Sequence, residues 1–587
     1  MIPSQLRRRD EGAEFRMNRR CTRLARTPCW LLAALLALSL VSCSVRRSGK
    51  PDYYIGPKRL TDATPAAVGT AGARVAAPAA KAAEAPPAAP AGKIDAPPAP
   101  APAAADGPLQ LTSEQALLMA LENNQGLVVE RITPDITRAQ EAIAKAVFDP
   151  VLTGTIGHER DVGERLTGGG ALFDYATNSI VGSAGLEWFL PTGTRMGVGL
   201  STEIDDRAKH RQLIMSRLGM TVSQALLRGA GMEANLASIR EARIDTLVSE
   251  YQLRGFAQAL VADVEDAYWN CVLAKMHVAI FRRSVALAED TLSATEERIK
   301  AGTLSETERV AAQASLARRK ERLINAESDM AKAHLRLLRL VNPKGPNPWK
   351  REIQLPDPPV VPNTTLEDVE DHVKVALRLR PELNQARLQI KRGDLEVVST
   401  RNGLLPMLNL FASLGKTGYA ETFGGSWGNI DGDGYDLLVG VTTAYPLRNH
   451  DARARYRQAV LGRRQAEEAL ANLEQLVQVD VRTAHVEVAR ATEQITATRA
   501  TRKFREESLR AEMERLKIGR ATNLDVARAH RDLVDSETAE AQAVADYLKA
   551  LVLLYRLDGS LLERRGIAAP GGEPVADPAA AERQGGP

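Results

Sequence analysis

The chain has 587 residues, with 77 Lys and Arg against 73 Asp and Glu, 44% hydrophobic residues and 4% aromatic ones. Eight of those bases and three of those acids lie in the first 42 residues, which leaves 69 bases facing 70 acids in the remainder. A near-neutral remainder lacks the basic excess that phosphate binding needs, and its apolar content excludes a wholly disordered chain.

The first segment has the layout of an export signal. Arg19, Arg20, Arg23 and Arg26 precede an apolar run from Trp30 to Val41, too short to span a bilayer comfortably. Leu40-Val41-Ser42-Cys43 ends it, similar to the bacterial lipobox in which the cysteine is acylated and becomes the new N-terminus. Residues 1–42 are therefore read as a signal peptide and Cys43 as a lipidation site, its acyl chains adding membrane affinity at about 0.8 kcal/mol per buried CH₂. Ser44, in place of Asp, points to the outer membrane. Of the four cysteines, Cys21 and Cys29 leave with the signal, so no disulfide framework is expected; Cys271 reads as a small core residue. From Pro51 to Pro108 lie twelve of the 31 prolines, interleaved with Ala, so 43–108 reads as an extended, mobile linker.

The rest repeats itself. Arg298-Ile299-Lys300-Ala301-Gly302 matches Arg515-Leu516-Lys517-Ile518-Gly519, and the same offset of 217 aligns Val264 with Val481, Ala267 with Ala484, Glu308 with Asp525 and Leu337 with Leu554. Further upstream, Ala120-Leu121 and Leu127 match Ala376-Leu377 and Leu383 at an offset of 256. The first copy thus carries 39 extra residues, the difference between the offsets. The predicted repeats are 109–341 and 364–562, joined by a linker at 342–363 and followed by a disordered tail at 563–587.

Each copy reads as helix, β section, long helix, turn, long helix. Leu111-Thr112-Ser113-Glu114 caps a first helix over Ser113–Val147, with an interruption expected near Pro134. A period of two follows, in a β section at about 148–225. Its predicted strands are Val151–Gly157, Ser179–Phe189, Arg195–Ile204 and Leu213–Val222. Residues 233–300 and 305–341 are almost free of Pro; Leu253, Phe256, Leu260, Val264 and Ala267 step by three and four, the seam spacing of packed helices. A helix of some 65 residues reaches roughly 100 Å. In the second copy, 364–401, 451–517 and 521–557 behave alike, with strands at Met407–Leu414 and Leu437–Ala444 in a β section at about 405–446. Weakly alternating strands joined by Gly-rich loops, at 167–170 and 424–434, suit a membrane β-barrel. Asn429 to Gly434 is similar to the start of an EF-hand loop, but Gly440 stands where the bidentate Glu belongs. There is no H-E-x-x-H, Cys/His cluster or phosphate loop, so neither enzyme activity nor a cofactor or metal is expected.

These features together resemble the TolC-like outer-membrane efflux protein family. Asn123-Asn124, Phe148-Asp149-Pro150, Gln224-Ala225-Leu226-Leu227-Arg228-Gly229, Arg380-Pro381-Glu382-Leu383, Leu405-Pro406 and Tyr445-Pro446-Leu447 are similar to its recurring segments, with Ala225 where the family has Pro. The resemblance covers roughly 109–562. It implies an α+β membrane protein with duplicated helix–β–long-helix-hairpin halves. Three copies would form an outer-membrane β-barrel continued by a periplasmic α-helical barrel. It implies a homotrimer in outer-membrane lipid, working with a periplasmic adaptor protein and an inner-membrane pump as a passive exit duct, and no nucleic-acid partner. A lipid-anchored coiled-coil scaffold without a pore is the alternative. The family has two strands per half, so the 39 extra residues supply an additional pair around 179–206, which either widens the barrel or folds as a separate hairpin.

The resemblance also assigns the tips. Gly302, Thr303 and Leu304, and Gly519, Arg520, Ala521 and Thr522, would contact the adaptor. Asp525 matches a position that lines the closed aperture, and Glu308 is its counterpart in the first copy. Three chains would set these acids in a ring that attracts cations. Arg528 replaces a second family acid, which suggests an Asp525–Arg528 pair.

Overall fold

Thr112 ends an extended segment and starts the first helix because its hydroxyl accepts from Gln115 N while the Gln115 side chain accepts from Thr112 N, a capping box. The computed structural model describes residues 56–57, 109–166, 170, 172–207, 213–345, 347–356, 359, 361 and 366–576. The signal segment, Cys43, residues 58–108 and the 167–169 loop lie outside them.

In chain order the elements are β1 (Gly56–Pro57), β2 (Leu109–Gln110), α1 (Ser113–Asn123), α2 (Gln125–Lys145), β3 (Val151–Leu166), β4 (Leu172–Phe189), β5 (Thr194–Arg207) and β6 (Leu213–Ala225). Then come α3 (Met232–Asn235), α4 (Ala237–Lys300), α5 (Glu306–Val341) and β7 (Ile353–Gln354). The second copy has α6 (Val369–Leu379), α7 (Pro381–Gly403), β8 (Met407–Ala420), α8 (Phe423–Gly428), β9 (Tyr435–Ala444), α9 (His450–Lys517) and α10 (Asn523–Leu557). α11 (Leu561–Arg564) and β10 (Ile567–Ala568) close the chain. The predicted helix–β–helix hairpin plan is present twice, and α4 and α9, at 64 and 68 residues, each span about 100 Å. No described helix is long and apolar enough to cross a membrane.

The break in the first helical stretch falls at Asn124, not at Pro134 as expected. Asn124 is extended; its side-chain oxygen accepts from Leu127 N at 3.2 Å and its amide donates to Leu340 O at 3.1 Å, giving the backbone an alternative to the helical ladder. Pro134 removes one helix bond but sits buried inside α2. The second copy breaks at the equivalent Arg380, where Pro381 takes the first helical position.

The six long strands form one antiparallel sheet, ordered β3-β4-β5-β6-β8-β9. The extra residues of the first copy, expected as an additional pair around 179–206, are therefore two full strands inside the shared sheet and not a hairpin folded apart from it. The loop between β8 and β9 folds back on the sheet through α8, with Ser426 Oγ 2.7 Å from Ser216 Oγ, both fully buried.

The two largest cores are each centred on one repeat. The first gathers Leu127, Leu253, Val264, Ala267 and Leu337; the second gathers Leu383, Val481, Ala484, Val488 and Leu554. The apolar pairs that align at offsets of 217 and 256, Val264 with Val481, Ala267 with Ala484, Leu337 with Leu554 and Leu127 with Leu383, are thus buried in both copies. Even a polar detail repeats: Arg131 Nη2 donates to Leu121 O at 3.0 Å, and Arg387 Nη2 to Leu377 O at 2.9 Å.

The expectation of a disordered tail from 563 is corrected as far as 576. Arg565 makes a bidentate pair with the buried Glu265 at 2.6 and 2.7 Å, Arg254 pairs with Glu563, and Val575 N donates to Asn384 Oδ1 at 2.9 Å. The charged groups that the long helices bury at this level need those partners. Two short pairings involve the linker segments: β1, within 43–108, pairs with β10, and β7, within 342–363, pairs with β2.

Candidate gate at the helix tips

Both long hairpins turn by the same device. α4 runs out at Ala301, Gly302 takes φ +71°, and Thr303 N reaches back to Arg298 O at 2.9 Å. α9 runs out at Ile518, Gly519 takes φ +76°, and Arg520 N reaches back to Arg515 O at 2.8 Å. This left-handed step satisfies the last helical carbonyls, and a residue with a Cβ resists it. The Thr303 hydroxyl adds a second bond to Arg298 O at 2.8 Å.

The returning helices start differently. Thr522 caps α10: its N–H and hydroxyl donate to Asp525 Oδ2 at 3.0 and 2.6 Å, and Asp525 N donates to Thr522 Oγ1 at 3.3 Å. Ser305 caps α5 by position, but its hydroxyl turns to Thr307 Oγ1 at 2.6 Å. Glu308, the counterpart of Asp525, makes no ion pair among the described residues and is only half-exposed.

The carboxyl of Asp525 is held below the ordinary carboxylate range, first by the Thr522 hydroxyl, then by the Thr522 N–H, with the charge of Arg528 a smaller cause. The expected Asp525–Arg528 ion pair is not formed; the capping box takes the carboxylate instead. Asp525 is therefore ionised and fixed in direction at the end of the hairpin, and Arg528 lies exposed one turn on.

Further along the hairpins lies a group that the sequence pattern did not single out. Arg319 of α5 donates to Ser284 O of α4 at 3.0 Å, and its Nη1 lies 2.8 Å from His530 Nδ1 of α10. Burial, and then the charge of Arg319, push the His530 ring down to about 4, so it accepts the bond as a neutral imidazole. Arg322 pairs with Asp535 at 3.0 Å and Arg283 with Glu537 at 3.5 Å. Together these bonds tie the first hairpin to the second. Arg319 and His530 belong to different repeats, and only the packing of the two hairpins brings them together. Asn429, from the EF-hand-like stretch, sits in a single 3₁₀ turn and donates to Tyr419 O at 2.8 Å; no group of three potential metal ligands occurs among the described residues.

The arrangement has counterparts in known proteins. The chain is 24% identical over 465 residues to the outer membrane efflux protein BepC of Brucella suis biovar 1, covering 77% of this chain and 86% of that protein. Its fold is similar to that of the Campylobacter jejuni CmeC outer membrane channel, with a TM-score of 0.58 and 15% identity over 80% of this chain and 88% of that one. It is likewise similar to the outer-membrane channel OprN, with a TM-score of 0.57 and 18% identity over 76% and 90% of the two chains. The outer membrane efflux protein family matches residues 116–342 and 373–560, which span both repeats, and the chain belongs to that family.

Proposed function

We propose that three copies of this chain form a passive exit duct through the outer membrane, fed by an inner-membrane pump through a periplasmic adaptor. One observation carries this reading: the six-stranded sheet has two open edges, β3 and β9, and each continues into a helix with an unpartnered apolar stripe. α2, which leads into β3, exposes Val129, Ile132, Ile136 and Ile143; α9, which follows β9, exposes Leu461, Leu476, Val479 and Val486. An open edge in lipid leaves backbone groups unpaired, so a membrane sheet must close. An even strand count lets β9 of one protomer meet β3 of the next antiparallel, while the two stripes cover each other alongside.

In this reading Cys43 carries the lipid anchor in the outer membrane. Gly302, Thr303, Leu304, Gly519, Arg520, Ala521 and Thr522 form the adaptor-facing tips in the periplasm. Asp525, Glu308 and Arg528 line the closed entrance. The fixed, ionised carboxylate of Asp525 supports a threefold acidic ring that favours cations. The test is single-channel conductance of the detergent-extracted protein in planar bilayers, with Asp525→Ala alongside. Discrete openings from a trimer, with cation preference reduced by the substitution, are the expected result. A monomeric protein without conductance would overturn the duct and favour the coiled-coil scaffold.

A further inference from the structure

The inserted strands β4 and β5 continue the sheet without a break in pairing, face or composition. Leu152, Leu186, Val198, Met220, Leu414 and Leu437 are direct register neighbours, one from each of the six strands. They form one apolar row across the whole sheet. The next row is Thr153, Gly185, Gly199, Gly219, Gly415 and Asp436, again one residue per strand. Consecutive residues of a strand point to opposite faces, so the first row lies on an apolar face and the second on a small, polar one.

Four adjacent glycines at one register are costly in a strand, because glycine loses the most conformational freedom and offers nothing to pack. Such positions mark bends or close approaches. A Cβ at Gly185 would meet Thr153 Oγ1 at 3.3 Å, and one at Gly415 would meet the Arg217 guanidinium at 2.5 Å. That guanidinium crosses Gly415 to pair with Asp436 at 2.6 and 2.7 Å. The glycine face is crowded at these two positions, and a row of small residues lets a sheet bend toward its own side. Two of its four glycines belong to the inserted hairpin, one to β6 and one to β8. The hairpin therefore shares its glycine row with strands from both repeats.

We infer that the β4–β5 hairpin is part of the transmembrane wall, so that three protomers close an eighteen-stranded barrel with its glycine face inward, whose mouth admits solutes too bulky for the ring these chains would form without the hairpin. This rests on the trimeric duct reading. Barrel diameter grows roughly in proportion to strand number, so eighteen strands give a mouth about 1.5 times as wide as the twelve that remain after removing two per chain.

Two measurements test it. Ser183→Cys and Ala184→Cys place thiols on opposite faces of β4. In vesicles holding the full chain, a sulfonated, membrane-impermeant maleimide should label Cys at 183, while Cys at 184 should react only with a lipid-soluble maleimide. Equal labelling of both by the sulfonated reagent would mean a hairpin outside the wall and would overturn the inference. Second, neutral polyethylene glycols of graded size are added from the outer side of a planar bilayer. The native trimer should admit polymers about 1.5 times larger in hydrodynamic radius than a variant lacking residues 172–207. A conducting trimer with the same cut-off in both forms would overturn the widening alone; a native protein that is no conducting trimer would overturn the duct itself. Should the shortened variant not assemble, the cysteine pair decides without it.

Discussion

Arg319 on α5 and His530 on α10 meet at 2.8 Å, a bond between the two repeats placed within about four turns of the helix starts. The pair works only while the imidazole is neutral. Its folded pKa of about 4 lies below the ordinary value of 6.5, so the unfolded chain takes up a proton first as pH falls. This contribution to stability is complete above about pH 6.5, falls between 6.5 and 4, and is flat below. Denaturant unfolding across that window should show a slope that His530→Asn reduces. An unchanged slope would remove His530 from the account. In Arg319→Ala, the His530 resonance should titrate above 4, since one of the two causes of the depression is gone.

Asp525 has two separable tasks, a cap and a charge. Asp525→Asn keeps a side-chain acceptor for the capping box and removes the charge, whereas Asp525→Ala removes both. Both variants should lose cation preference in reversal-potential measurements, and only the alanine variant should also show fraying of α10 in amide hydrogen exchange. Full cation preference in Asp525→Asn would rule out the acidic ring.

Glu265 is 1% exposed and its carboxylate is held by Arg565. Arg565→Ala leaves that charge buried beside no cation of its own and should cost about 3–5 kcal/mol, read as a fall in the protein's thermal midpoint. Arg565→Lys should recover part of it. A neutral effect of the alanine variant would mean that the C-terminal segment is dispensable at this level.

Leu337 and Leu554 are equivalent by sequence, and both are 0% exposed. Leu337→Ala and Leu554→Ala should each cost about 2–5 kcal/mol, because both leave a cavity in a core of the same design. Melting of the two variants checks this, and a large loss in one with none in the other would contradict the view of two matched cores.

Much of this was legible in the chain itself. The helical seam from Leu253 to Ala267, the offset linking Val264 to Val481, and the alternating strands follow from periodicity, which local geometry alone imposes. The glycines at 302 and 519 marked the turns because an αL step there excludes most other residues. Other features depended on partners far away in sequence. Asn124, rather than Pro134, breaks the first helix because it reaches Leu340 some 216 residues on. The segment 563–576 is ordered because Glu265 and Arg254 require its charges. The Asp525 carboxylate goes to Thr522 instead of Arg528, since two bonds from a cap outweigh one exposed charge.

The strand count shows the division most clearly. Thirty-nine extra residues are visible by subtraction, and their alternation says strand. Whether those strands stand apart or join the wall depends on hydrogen-bond register with β3 and β6, a relation between segments that no single segment encodes. Residue pattern within a segment sets whether it is helical or extended and which of its faces is apolar. What each face meets follows from the packed chain, because burial and register are properties of pairs.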